Sequence, residues 1–259
     1  MFSTPALHQS ICLNPALSWL LGEILLDIEF EADLPSWANK LAVFDLETTG
    51  LELSTARVVT ACVAVIDANG EIEQLDEWLV NPGIEIPEVA TSVHGITTEK
   101  AFSEGKEAKL AISEIVSTLK HLNQTMPLVA FNAPYDFTIM QFEASRYAAD
   151  SLIPAPVIDP LVIDRKLRFG PGKRNLTILC DLYGVRLADA HNSTADAVAA
   201  GRLAQKQAAK YPELSQDVNK LHDLQIKWSE AWTKNFHDWL EKENRPVDRA
   251  EIGWPIRAS

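Results

Sequence analysis

An apolar run, Leu41-Ala42-Val43-Phe44, ends in two acids one residue apart, Asp45 and Glu47. It is short, preceded by Asn39-Lys40 and followed by Thr48-Thr49-Gly50, and so reads as a buried strand with a turn at its end. Alternation along a strand puts Asp45 and Glu47 on the same face, with their carboxylates close enough to share one cation. Two anions at the end of a core strand repel each other and resist burial, so the pair needs a compensating partner. A divalent metal ion is the simplest one.

The following segments set the order of a sheet. Residues 57–67 (RVVTACVAVID) and 71–80 (EIEQLDEWLV) are β-rich and joined by Ala68-Asn69-Gly70, a hairpin signal, so three successive strands run antiparallel. A Pro-broken loop, NPGIEIPEV, leads to Ser92-Val93-His94-Gly95-Ile96-Thr97, and residues 107–122 have helical spacing. The next strand, LVAFN (128–132), runs into a helix that starts at Pro134 and carries Asp136 in its first turn. Helix, strand and helix in succession mark a change from antiparallel hairpins to parallel crossovers. VIDPL (157–161) reads as a short strand. Asn175 is placed to cap a helix that stops at Gly184, and His191 lies at the start of an Ala-rich helix with Asp196 in its first turns. The fold class is α/β, a mixed sheet flanked by helices.

Two extensions flank this unit. Residues 1–39 carry a helical pattern after Asn14-Pro15, with Leu17, Leu20, Leu21, Ile24 and Ile28 on one face. In residues 210–259, Leu214, Val218, Leu221, Trp228, Trp232, Phe236 and Trp239 keep a three-to-four spacing, one long amphipathic helix or two, before an irregular tail. Its Trp-bearing stripe is either packed on the domain or offers a homodimer or polymerase-docking surface. The central domain spans 40–209.

The formal net charge of -13 opposes the basic footprint of a tight nucleic-acid binder. A polyanionic substrate would therefore need metal ions and a local basic patch. Arg165, Lys166, Arg168, Lys173 and Arg174 occur without an intervening acid; Arg165, Lys173 and Arg174 are the candidates for contacting a substrate backbone, against the alternative of a solvated loop. Cys12, Cys62 and Cys180 are too few and scattered for a disulfide framework or zinc site and read as reduced thiols of a cytoplasmic protein. No Lys or Arg precedes Lys40 and no uncharged run reaches membrane-spanning length, so neither a signal peptide nor a membrane partner is expected.

The segments FDLETTG (44–50), FNAPYDFTIM (131–140) and HNSTAD (191–196) resemble, in that order, the three motifs of the DEDDh exonucleases. That family includes the proofreading epsilon subunit of bacterial DNA polymerase III and ribonuclease T. The resemblance covers about residues 40–208 and includes VHGIT at Val93–Thr97. It implies a ribonuclease-H-like fold with a mixed five-stranded sheet. It also implies a metal-dependent 3′-to-5′ exonuclease that releases nucleoside 5′-monophosphates from single-stranded 3′ ends, DNA favoured over RNA. Carried over by motif, Asp45, Glu47, Asp136 and Asp196 would bind two divalent cations, Mg²⁺ or Mn²⁺, and His191 would be the general base. Thr48 would meet the terminal 3′-hydroxyl, Leu51 and His94 would pack on the last nucleotide, and Asn132 would lie near the second metal. For His94 a loop residue fixing its own turn is the alternative.

Two positions depart from the family pattern: Tyr135 stands where Phe is commoner, and Ser193 where Ala is common. Neither removes a ligand or the base. The position at which a tyrosine-base subgroup carries its Tyr is Asn192. A catalytically silent scaffold of the same fold is the competing reading, and the intact acids and histidine argue against it. An endonuclease or integrase-type transferase is disfavoured by the His-x4-Asp ending.

Overall fold

The central apolar run becomes β1 (Leu41–Thr48), and the two segments after it become β2 (Val58–Ile66) and β3 (Ile72–Asn81), all antiparallel. These elements belong to a computed structural model that describes residues 34–168, 170, 172–187, 191–247 and 252–257. The helix expected after Asn14-Pro15, and Cys12, lie outside the described residues. The β2–β3 turn closes on Asp67, whose Oδ1 accepts the Asn69 and Glu71 N–H groups at 2.8 Å. Gly70 takes φ 76 there, and a Cβ would stand 2.9 Å from Arg202 Cγ.

The remaining strands are short. β4 (Lys106–Glu107) pairs parallel with β3, β5 (Leu128–Val129) parallel with β1, and β6 (Val157–Ile158) parallel with β5. The sheet order is β4-β3-β2-β1-β5-β6. Thus the expected five strands are joined by a sixth, whose two residues are too few to show an alternation. The strands expected over 128–132 and 157–161 are both shorter: a turn through Phe131 and Asn132 takes the chain out of the first, and the helix that starts at Pro160 claims the end of the second.

Those helices follow in chain order. α1 (Glu88–His94) stops at Gly95, and α2 (Thr98–Glu104) begins at Thr97, whose hydroxyl accepts the Lys100 N–H. α3 (Ala108–Leu122) and α4 (Ala133–Tyr147) come next. α5 (Pro160–Leu167) has Pro160 in its first turn and Asp159 as its cap, which is why β6 ends at Ile158. α6 (Leu176–Tyr183) is capped by Asn175 and stopped by Gly184 at φ 67, as expected. α7 (Ser193–Lys210) and α8 (Val218–Lys242) complete the order, the last a single helix.

Alternation along β1 divides the core. Ala42, Phe44 and Leu46 pack on one face with Ile112, Ile115 and Leu119 of α3 and with Phe137 and Met140 of α4. Leu41 and Val43 pack on the other with Ala197, Ala200 and Ala204 of α7 and Leu221 of α8. The small residues of α7 let it lie flush on the sheet: a Cβ on Gly201 would meet Val43 Cγ1 at 2.4 Å and Ile66 Cδ1 at 2.6 Å. The same period carries Asp45 and Glu47 to the α7 face.

Candidate active site

Three elements deliver four acids to the C-terminal end of β1, an interior strand of the sheet. Asp45 and Glu47, both partly buried, sit at the end of β1. Asp136 is buried in the first turn of α4, where the chain turns sharply out of β5 through Asn132 at φ 62. Asp196 lies in the first turn of α7. Asn192 starts that helix, its Oδ1 accepting the N–H groups of Thr194 at 3.1 Å and Ala195 at 3.2 Å. The helix start is also pinned to the sheet, by Thr60 Oγ1 donating to Ser193 Oγ at 3.2 Å and by Thr194 Oγ1 donating to Glu77. His191 sits just before it at φ 71, with its N–H on Asp196 Oδ2 at 3.2 Å. One ligand-capable atom each of Glu47, His191 and Asp196 lies within 4.8 Å of the others.

The electrostatics show the four carboxylates acting on one another. Burial pushes the Asp45 carboxyl well above its ordinary value, and Asp136, Asp196 and Glu47 push it further. Burial and then Asp196 raise Glu47 to about 7. Asp136 is also raised well above the usual range, by burial first, with Asp159 and Glu47 adding to it and the backbone N–H groups of Asp136 and Leu46 opposing. Hard oxygen donors that repel one another when empty suit Mg²⁺ or Mn²⁺.

A pH dependence follows. A carboxyl raised in the folded chain favours the protonated form, so its contribution to stability is present below the unfolded pKa and is lost as pH rises through the folded one. For Glu47 that window runs from 4.5 to about 7. Metal-free protein is therefore expected to melt at progressively lower temperature across this window, with Mg²⁺ reversing the loss at neutral pH. Thermal scans in EDTA and in Mg²⁺ measure it; a melting temperature that climbs through the window in EDTA would contradict the arrangement.

The other sequence candidates divide. The hydroxyls of Thr48 and Tyr135 lie 2.7 Å apart and both reach the Gly50 carbonyl, at 2.9 and 3.0 Å. Tyr135, noted in the sequence only as a departure from Phe, thus closes the turn after β1. Leu51 beyond it is 85% exposed, free to meet a ligand. His94 makes the turn-fixing bond, its Nδ1 accepting the Ile96 N–H at 3.1 Å, and it also lines a cavity of about 440 Å³ with Glu47, Thr60, Glu77 and His191. Burial lowers the His94 pKa, opposed by hydrogen bonding to the Thr48 backbone. Asn132 stands at the start of α4 beside the acids.

The basic stretch is different. Asp164, fully buried, accepts from Arg168 Nε at 2.8 Å, Arg174 Nε at 2.8 Å and the Tyr183 hydroxyl at 2.9 Å. Burial works to raise its pKa, and Arg168, Tyr183 and Arg174 together hold it below the usual value. Arg174 also donates to the carbonyls of Arg168 and Gly170. Arg174 is therefore a strut of its own loop, neutralised by an acid one residue upstream of the run. The Arg165 guanidinium lies 3.6 Å over the Trp232 ring. Neither joins the acid cluster; Lys173 is the exposed one of the three. Sequence reasoning missed Asp159, whose signal was an acid directly before Pro160.

Antiparallel strands, then parallel crossovers, with four acids at the end of the central strand β1, define a ribonuclease-H-like domain of nuclease type. The chain matches the RNase T family, described as exonuclease, over residues 42–204, and belongs to that family. It is 30% identical over 178 residues to the DNA polymerase III PolC-type of Lactococcus lactis subsp. lactis, covering 67% of this chain and 10% of that protein. Its identity to the Streptococcus mutans protein of the same description is 31% over 173 residues, 67% of this chain and 11% of the other. The chain thus spans about a tenth of the length of these relatives. Among solved structures, E. coli exonuclease I in complex with a dA16 oligonucleotide shares the fold, with a TM-score of 0.58 at 19% identity over 68% of this chain and 42% of that one. Another exonuclease I structure gives 0.59 at 18% identity over 77% and 46%. Among the described residues no helix is long and apolar enough to cross a membrane, and Cys62 and Cys180 are free and buried.

Proposed function

We propose that this chain is a metal-dependent 3′-to-5′ exonuclease that shortens single-stranded nucleic acid, DNA in preference to RNA, releasing nucleoside 5′-monophosphates. The observation that carries the reading is the convergence of Asp45, Glu47, Asp136 and Asp196 beside His191 at the end of β1. The four acids would hold two divalent cations, Mg²⁺ or Mn²⁺. When bound, such ions hold the attacking and leaving oxygens of a phosphodiester and lower the pKa of a coordinated water. His191 would act as the general base that accepts the proton of the attacking water, a reading supported by its lying within 4.8 Å of Glu47 and Asp196. The Thr48–Tyr135–Gly50 turn and the His94 cavity flank the acids and would receive the terminal nucleotide, with Leu51 packing on its base. Lys173 is the exposed cation of the basic loop and would meet the backbone beyond it.

Single-stranded DNA is supported by the oligonucleotides held by the exonuclease I neighbours, dA16 and dT13. A role beside a polymerase in the cytoplasm is supported by the PolC-type relatives. The stacked Trp232, Phe236 and Trp239 of α8 are the surface we assign to that partner or to a second copy.

The test is digestion of 5′-labelled single-stranded DNA and RNA of one sequence, with Mg²⁺, Mn²⁺ or EDTA. A ladder shrinking from the 3′ end, faster on DNA and absent in EDTA, is expected. Internal fragments would assign an endonuclease instead, and intact strands under every metal would favour a silent scaffold.

A further inference from the structure

Asp159 is fully buried and takes no part in the proposed chemistry, yet it binds three separate parts of the chain. Its Oδ1 accepts the N–H groups of Asn132 at 3.1 Å and Leu161 at 2.9 Å. Its Oδ2 accepts the Ala133 N–H at 3.0 Å and the Trp254 indole N–H at 3.2 Å. The Leu161 bond caps α5. Those to Asn132 and Ala133 fix the entry of α4 at the left-handed residue, one turn before Asp136. Burial raises the Asp159 carboxyl, and Trp254 leads the donors that oppose it.

Trp254 lies beyond residue 204, where the family match ends. It is 6% exposed, and its ring meets that of His222 of α8 at 5.1 Å. His222 Nδ1 accepts the Val157 N–H at 3.1 Å, and Gln225 Oε1 accepts the Asp159 N–H at 2.7 Å. Three residues after Trp254, the Arg257 N–H donates at 2.9 Å to Thr138 Oγ1, buried on α4 two residues past Asp136. The tail therefore holds the start of α4 on both sides of its acid, through Asp159 before it and Thr138 after it, while α8 holds the strand end that carries Asp159.

We propose that the C-terminal extension is a positioning device for the metal site: Trp254, through Asp159, sets the first turn of α4 and so the placement of Asp136. This rests on the metal reading above. It makes Trp254 and Asp159 positioning residues, since neither touches substrate or ion. Groups that orient a metal ligand tune affinity even without contacting the ion.

The experiment compares the full chain with W254F, which keeps an aromatic ring and loses the indole N–H together with the five-membered ring, a loss of volume that the control shares. W37F is the control: Trp37 is equally buried and donates to the Leu214 carbonyl at 2.9 Å, at the opposite end of β1 from the acids. Mn²⁺ affinity is read by calorimetry, and cleavage of 5′-labelled single-stranded DNA at limiting and saturating Mn²⁺. W254F is expected to weaken Mn²⁺ binding by roughly three- to tenfold. Its turnover should slow at limiting Mn²⁺, recover at saturation, and show an unchanged KM for DNA. W37F should lose a comparable amount of melting temperature with Mn²⁺ affinity unchanged. D159N, which turns an amide nitrogen toward a backbone N–H, should weaken Mn²⁺ binding more than W254F. Equal Mn²⁺ affinity in W254F and the parent, or an equal loss in W254F and W37F, would overturn the proposal. A parent chain that binds Mn²⁺ but cleaves nothing overturns only the nuclease reading, because the affinity comparison still stands; one that binds no Mn²⁺ overturns both.

Discussion

Asp45→Ala is expected to lower turnover by roughly a thousandfold or more, because on the proposed reading it removes a metal-binding oxygen from the centre of the cluster. Asp45 is the acid on which Asp136, Asp196 and Glu47 all act, so its loss disturbs the whole set. The fold should survive. Asp45 sits at the end of β1, beyond the packed Leu41 and Val43, and the core does not depend on its side chain. Metal-free Asp45→Ala should in fact melt above the metal-free parent at neutral pH, because one partly buried carboxyl, costly to ionise among its neighbours, is gone. Turnover assays paired with thermal scans in EDTA measure both effects. Normal turnover in this variant would refute the site assignment, and a lower melting temperature would mean that the acid serves the fold.

His191→Ala is expected to reduce kcat by about two to four orders of magnitude while leaving Mn²⁺ affinity nearly intact. His191 is exposed in the turn before α7, held by its backbone N–H on Asp196. Removing its imidazole therefore takes away the proposed proton acceptor without loosening the helix cap, which belongs to Asn192. His191→Gln should behave like the alanine variant, since an amide of similar reach accepts no proton at neutral pH. A parallel loss of Mn²⁺ affinity and rate would instead make His191 a ligand beside Glu47 and Asp196.

Much of this geometry was legible in the chain because it is set by local rules. The alternation of β1 requires Asp45 and Glu47 to share a face, and the Asn69-Gly70 turn requires β2 and β3 to be antiparallel. Asn192 before Ser-Thr-Ala-Asp fixes the start of α7, and with it the place of Asp196. What escaped depends on partners far away in sequence. Nothing near Arg174 shows that its charge is taken by Asp164. Nothing near Asp159 shows that its carboxylate receives Asn132 and Ala133 from one side and Trp254 from the other. Tyr135 could be read as a departure from Phe, but its bond to Thr48 exists only once α4 and β1 are side by side. The lengths of β5 and β6 escaped for a related reason: an apolar run does not reveal the residue at which a turn or a helix takes over the backbone.

The site as a whole is tested most directly by anomalous diffraction from crystals grown with Mn²⁺ and a nucleoside 5′-monophosphate. Two Mn²⁺ peaks about 3.5–4 Å apart are expected among Asp45, Glu47, Asp136 and Asp196, with the phosphate of the nucleotide against them and the His191 imidazole facing it. Absence of Mn²⁺ from these four carboxylates, with the nucleotide bound elsewhere, would contradict it.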